Sequence, residues 1–292
     1  MLDAKFYDTL GRLRLYMGHK SNMNMSGNRK SVQKGSSAEF SDFREYMPGD
    51  DIRRIDWNAY ARMDRLYVKE YMEEKEAVVS ILIDTSASMD YGIHKKSELA
   101  LSLSAALAYL ALGSMDRVVV YDMKRMQSPF VVSGGKKGYP GLLKWLEQLT
   151  FEGEADIHKA VRQMAVKGPG MTVLVSDFLT DAIVNGPEAE TEKIMRYLDY
   201  RKQRAVMLHI MAGEELEINL TGTLNLIDME SNEQLKMTMD TIAIRDYHQA
   251  LQQLLNRLQR SCKKTGSSYI LCNTEKDLYH LVFEDLRILY DI

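Results

Sequence analysis

Hydrophobic and polar positions divide the chain near residue 77. Beyond it, short apolar runs of strand length alternate with longer stretches whose apolar residues recur every three or four positions. The runs 77–83 (Ala-Val-Val-Ser-Ile-Leu-Ile), 117–123 (Arg-Val-Val-Val-Tyr-Asp-Met), 171–176, 205–211 and 268–272 are largely apolar and rich in β-branched residues. That is the pattern of strands buried on both faces of a parallel sheet. A shorter run, 130–133, predicts an edge strand. Helical spacing predicts helices over 96–112, 139–149, 156–166, 188–202, 247–262 and 276–289. The alternation predicts an α/β fold, a doubly wound, mainly parallel sheet with helices on both faces. Between 216 and 239 the rhythm breaks. Leu224 and Leu226, then Leu235, Met237 and Met239, alternate with polar residues on either side of the turn-like Glu230-Ser231-Asn232-Glu233. This predicts an inserted β-hairpin at the rim of a main domain spanning 77–292.

Residues 1–76 read differently. Leu2, Phe6, Leu10, Leu13 and Met17 recur at helical spacing, an amphipathic first helix expected to dock on the protein's own body. Residues 20–38 are rich in Ser, Asn, Lys and Gly and read as a loop. Residues 39–74 form a dense block. Pro48-Gly49 forces a turn, and Arg44, Arg53, Arg54 and Arg62 lie beside Asp42, Asp50, Asp51 and Asp56. Such residues can build bidentate ion pairs. Two readings stay open. The block is a clasp holding residues 1–76 on the main domain, or it is a recognition surface with Arg44, Trp57, Tyr60 and Arg62 as partner-binding residues.

Composition narrows the function classes. A net charge of −3 gives no overall reason to invoke nucleic acid or an anionic membrane. Residues 1–38 carry seven Lys/Arg against two Asp/Glu without any nucleic-acid-binding motif, so they read as a solvated arm. Cys262 and Cys272 are too few for a disulfide framework and fit a reducing compartment. No apolar stretch reaches membrane-spanning length, and charges interrupt residues 1–20, so a cytoplasmic protein is expected.

Chemistry concentrates where strands end. Asp84-Thr85-Ser86-Ala87-Ser88 follows the first buried run, and Asp177 follows the run 171–176. Open α/β sheets place ligand sites at such carboxyl ends. Asp84, Ser86, Ser88 and Asp177 group hard oxygens that a cation such as Mg2+ prefers. The alternative is plain helix capping by Ser86, Ser88 and Asp177. A phosphatase built on an aspartate nucleophile wants a second Asp two residues on, and that position is Ser86. The six histidines show no H-x-x-x-H or H-E-x-x-H spacing, and no G-x-S-x-G, P-loop or G-x-G-x-x-G sequence occurs. No enzyme activity is expected.

The D-x-S-x-S pattern resembles the metal-ion-dependent adhesion site of von Willebrand factor A domains. The longer string Glu39-Phe40 … Arg44-Glu45-Tyr46-Met47-Pro48-Gly49-Asp50-Asp51-Ile52-Arg53-Arg54-Ile55-Asp56-Trp57 … Ala61-Arg62 … Val68-Lys69-Glu70 … Glu73-Glu74 resembles the bacterial "domain of unknown function, number 58" family. Val175-Ser176-Asp177-Phe178 is also similar to that family. The resemblance implies a von Willebrand factor A-like domain and a MoxR-type AAA+ ATPase as partner, acting on a protein client. It also implies a Mg2+ site at Asp84, Ser86, Ser88 and Asp177. Two departures stand out. Ala155, in Gly153-Glu154-Ala155-Asp156, takes the place of the threonine ligand that the adhesion-site pattern expects, and Arg29 stands where a histidine is expected. The expected function is a non-enzymatic interaction module, an adaptor to that ATPase with a degraded adhesion site. The alternatives are a metal-assisted hydrolase using Asp84 and Asp177, and a metal-free scaffold acting through residues 39–74.

Overall fold

The structure, a computed structural model, describes residues 4–17, 30–31, 39–74, 77–165, 168–187, 189–218, 222–227, 229 and 234–290. Leu2, Arg29, most of the 20–38 loop and the turn at Glu230–Glu233 lie outside the described residues, as do the side chains of Asp42 and Arg54. The chain forms two compact units, Gly18–Glu76 and a larger one made of Met1–Met17 with Ala77–Ile292. The first helix, α1 (Ala4–Leu10), therefore belongs with the α/β unit, a division that the sequence boundary at residue 76 does not make.

In the smaller unit, β1 (Lys30–Ser31), β2 (Glu39–Glu45) and β3 (Tyr67–Glu74) form an antiparallel sheet in the order β1-β3-β2. Several acids of the Arg/Asp block serve the backbone. Asp51 accepts from Arg53 N, and Asp56 accepts from Asn58 N and Ala59 N to start α2 (Trp57–Met63). Side-chain capping of this kind satisfies amides that a helix start leaves orphaned. Asp64, in the left-handed region at φ 51°, ends the helix. Arg44 grips Asp50 through two bonds of 2.8 Å, the bidentate geometry expected of such pairs.

The larger unit runs β4 (Val78–Ile83), α3 (Lys96–Gly113), β5 (Arg117–Asp122), β6 (Phe130–Val132), α4 (Tyr139–Leu146), α5 (Ile157–Gln163), β7 (Gly170–Ser176), α6 (Asp181–Val184) and α7 (Ala189–Tyr200). It continues with β8 (Gln203–Met211), α8 (Gly213–Leu216), β9 (Gly222–Ile227), β10 (Gln234–Met239), α9 (Thr241–Lys264), β11 (Ser268–Asn273) and α10 (Leu278–Phe283). The six-stranded sheet has the order β11-β8-β7-β4-β5-β6, parallel throughout except for the antiparallel edge β6. Side chains alternate across a strand, so each strand feeds two cores. Val79, Ile81 and Ile83 join Val173, Val175 and Leu208 under α1, α3, α4 and α10. Leu82, Leu174 and Met207 point the other way, against α5, α7 and α9. Helix α3 is apolar nearly all round and buried accordingly.

Two helices differ from expectation, while the hairpin forms as expected. The helix predicted over 276–289 is α10 followed by a 3-10 turn, Asp285–Leu289, and α9 starts earlier, where the Asp240 side chain caps Ala243 N. The hairpin β9–β10 pairs in register, Leu235 with Leu226 and Met237 with Leu224, as a two-stranded sheet of its own. Among the described residues no helix is long and apolar enough to cross a membrane.

Leu82 is fully buried and Leu235 is 61% exposed. Leu82→Ala should cost about 2–5 kcal/mol of unfolding free energy in urea, while Leu235→Ala should stay within about 0.5 kcal/mol. Equal losses would contradict the division between core sheet and rim hairpin.

Candidate functional site

The chain leaves β4 toward β5 on one side and returns to β7 on the other. The β4–β7 boundary is thus the topological switch point of the sheet, where the following loops diverge and a crevice opens at the carboxyl ends. Asp84 follows β4 and Asp177 follows β7, so the two acids anticipated from the sequence flank this point. Asp84 N donates to Val175 O at 2.9 Å, joining the two strand ends.

Each side chain of the loop has a defined partner. Asp84 accepts from Ser86 N at 2.9 Å and from the Ser176 hydroxyl at 2.5 Å. Thr85 points the other way and donates to Asp122 at 2.6 Å, at the end of β5. The Ser86 and Ser88 hydroxyls lie 3.1 Å apart, bonded to each other. Ser86 makes no side-chain cap, and α3 begins behind Lys95, also without one, so the capping alternative does not describe these serines. Asp177 accepts from Leu179 N at 3.2 Å, a local turn. Phe178 supports that turn with φ 53°, a left-handed conformation that non-glycine residues rarely adopt.

Lys96, Glu215 and His209 complete the site and were missed by the sequence analysis. Lys96 opens α3 and is 0% exposed. Its ammonium lies 2.7 Å from Asp177 Oδ2 and 2.7 Å from Glu215 Oε1, with the Tyr91 ring 5.8 Å away. Glu215 sits on α8 just after β8, and its second oxygen accepts from Ala212 N at 2.8 Å. Three neighbouring strands, β4, β7 and β8, thus each deliver a carboxylate to one end of the sheet. Lys96 was legible in principle. It falls on the stripe of Ala100, Leu103 and Leu107, an apolar face where a lysine is out of place.

The electrostatics follow from burial and pairing. Burial, then the neighbouring Asp177, pushes the Asp84 carboxyl above its ordinary value, against hydrogen bonds from Ser176 and Ser86. Burial also works to lower the Lys96 ammonium, but Asp177 and Glu215 overcome it and raise the group. For Glu215 burial wins over Lys96, and the carboxyl is raised. His209, fully buried on β8, touches the Tyr269 hydroxyl through Nδ1 at 2.8 Å and packs edge-on against Phe178. Burial lowers it to about 4.

A divalent cation needs free carboxylate oxygens, and here they are committed. Both Asp84 oxygens accept hydrogen bonds, and Lys96 holds Asp177 Oδ2 and Glu215 Oε1. The third loop does pack against the first, through Ala87 N to Gly153 O at 2.8 Å and Glu152 N to Thr85 O at 3.0 Å. Its Ala155 offers no hydroxyl, Asp156 caps α5 through Lys159 N, and Glu154 is exposed. Two neutral serine hydroxyls are a poor cradle for a hard dication, so the donor set does not fit one while Lys96 is in place. The partner-binding candidates lie in the smaller unit. Trp57 and Tyr60 stack edge-on at 6.2 Å, 59% and 41% exposed, Arg62 is exposed, and Arg44 is engaged with Asp50.

Residues 42–256 match the family described as "Protein of unknown function DUF58", and the chain belongs to that family. It is 24% identical to the uncharacterized protein Rv1480 of Mycobacterium tuberculosis, over 94% of this chain and 87% of that protein, and equally to the uncharacterized protein Mb1516 of Mycobacterium bovis. Among solved structures it is similar to the conserved hypothetical protein BatB from Bacteroides thetaiotaomicron. The TM-score there is 0.41 at 10% identity, over 73% of this chain and 98% of that one. An aerotolerance-related membrane protein from Bacteroides fragilis gives 0.39 at 14% identity, with the same coverage.

Two expectations follow. Lys96→Met strands Asp177 and Glu215 as buried charges and should lower stability by about 3–5 kcal/mol. Its neighbour Lys95, paired with Asp90 at the surface, should tolerate the same change within about 1 kcal/mol. Urea denaturation of both variants checks the contrast, and equal effects would remove the buried pair from the account.

His209 gives a pH dependence. Below pH 6.5 the unfolded chain takes up a proton that the folded chain refuses until pH about 4. Its contribution is therefore complete above pH 6.5 and is lost as pH falls toward 4, by about 3 kcal/mol. Urea midpoints measured across that range should fall less steeply in His209→Phe than in the parent, and identical slopes would refute the assignment.

Proposed function

We propose that the chain is a non-enzymatic protein-interaction module of von Willebrand factor A-like architecture that serves a MoxR-type AAA+ ATPase as adaptor for a protein client. The observation that carries the interaction reading is α2. This helix buries none of its residues and is held by caps at both ends, yet it displays Trp57, Tyr60 and Met63 to solvent. Aromatic and arginine side chains gathered on a rigid element are the usual anchors of protein interfaces. Support for the non-enzymatic part comes from the switch-point site. The Ser86 and Ser88 hydroxyls are bonded to each other, Lys96 is ion-paired to Asp177 and Glu215, Ser176 donates to Asp84, and neither loop serine is bonded to a histidine base.

The test is reconstitution. Purified chain added to its MoxR-type ATPase should change the steady-state rate of ATP hydrolysis saturably. Trp57→Ala combined with Tyr60→Ala should weaken that response about tenfold or more, at unchanged circular dichroism and melting temperature. Asp84→Ala should weaken it too if the loop also takes part. No binding and no change in turnover would defeat the adaptor reading. A metal-dependent turnover of esters, phosphates or peptides that disappears in Asp84→Ala would replace it with the hydrolase.

A further inference from the structure

We infer that the Lys96 ammonium is the resident cation of the switch-point site, occupying the electrostatic place of a divalent metal and making the site metal-independent. The geometry is that of a bridging cation. One positive group, completely buried, is held at 2.7 Å by carboxylates from the ends of two neighbouring strands. Its position is otherwise unfavourable, because a lysine at the first residue of a helix faces the positive end of the helix dipole. The two carboxylates offset that opposition and the loss of solvent.

The surroundings are arranged for this occupant. Glu215 is steered by Ala212 N, and Asp177 by Leu179 N, so each carboxylate is held by a backbone amide while its other oxygen faces the ammonium. The third loop, where a hydroxyl would have served a metal, carries Ala155 instead. A lysine charge is compact and permanent under ordinary conditions, and it needs neither a metal supply nor open coordination positions. The inference goes beyond the adaptor reading and does not depend on which partner binds.

The experiment uses the full chain and Mn2+ as probe, followed by calorimetry and by electron paramagnetic resonance of free Mn2+. The parent should show no saturable binding in the millimolar range. Lys96→Met should gain a single Mn2+ site at least about tenfold tighter than anything in the parent, lost again when Asp177→Asn is added. If Lys96→Met does not fold, the charge-balanced Lys96→Met with Glu215→Gln is read by the same criterion. Saturable one-to-one binding by the parent that Asp84→Ala abolishes would overturn the inference, as would a folded Lys96 variant that binds Mn2+ no better than the parent. A measurement on the parent needs no variant. Peptide-mapped reductive methylation should leave Lys96 unmodified with or without millimolar Mn2+, and labelling that rises with Mn2+ would show the ammonium displaced and the inference wrong. Loss of the ATPase effect would leave all these outcomes unchanged, so the two proposals fail separately.

Discussion

Burying ionised groups without water is among the costliest acts a fold can perform, and this α/β unit does it at the reversal point of its sheet. Asp84, Asp177 and Glu215 converge there because β4, β7 and β8 lie side by side and each is followed by an acid, directly after β4 and β7 and on α8 after β8. Left alone, like charges at that spacing would drive one another neutral or force the loops apart. One ammonium, seated between two of the three, relieves the repulsion. Asp84 is handled differently, by a serine hydroxyl and a backbone amide and by a raised affinity for its proton. The path of the loops, the left-handed turn at Phe178 and the start of α3 at a lysine are all consistent with this one electrostatic requirement.

The two units are stabilised by different means. The α/β unit relies on apolar burial on both faces of its sheet, with Ile81 and Leu82 on successive positions feeding opposite cores. The smaller unit shows few buried side chains among the described residues, Ile55, Asp56 and Val68 being among them, and leans on caps, a bidentate ion pair and strand pairing. Such a construction leaves aromatic side chains at the surface instead of using them as core.

Much of the fold was legible in the sequence because two-sided burial writes itself as continuous apolar runs. Residues 77–83 and 171–176 announced β4 and β7 nearly to the residue, and the acids after them marked the site. The pairing of those acids with their partners could not be read, although the burial of Lys96 could. Glu215 lies 38 residues beyond Asp177 and Lys96 lies 81 before it, and nothing local ties them together. Of the adjacent lysines, Lys95 is exposed and Lys96 wholly buried. The serines could be read in two ways. Their pattern is shared by helix caps and by cation loops, and the hydroxyls bond to each other. At the far end, Glu284 breaks what spacing alone predicted as one helix, since a 3-10 turn keeps Leu286 and Leu289 in the core just as well.

The sequence separations at Lys96 bear on how the chain assembles. Its two partners lie 81 and 119 residues downstream. Contacts that distant close late, since a long loop must be ordered first. During synthesis from the amino terminus, α3 and β4 exist well before β8 and α8 have left the ribosome. Until they arrive the ammonium keeps its hydration shell, and the first turn of α3 cannot settle into its final bed. The buried seat of Lys96 is therefore complete only once both β7 and α8 have been laid down.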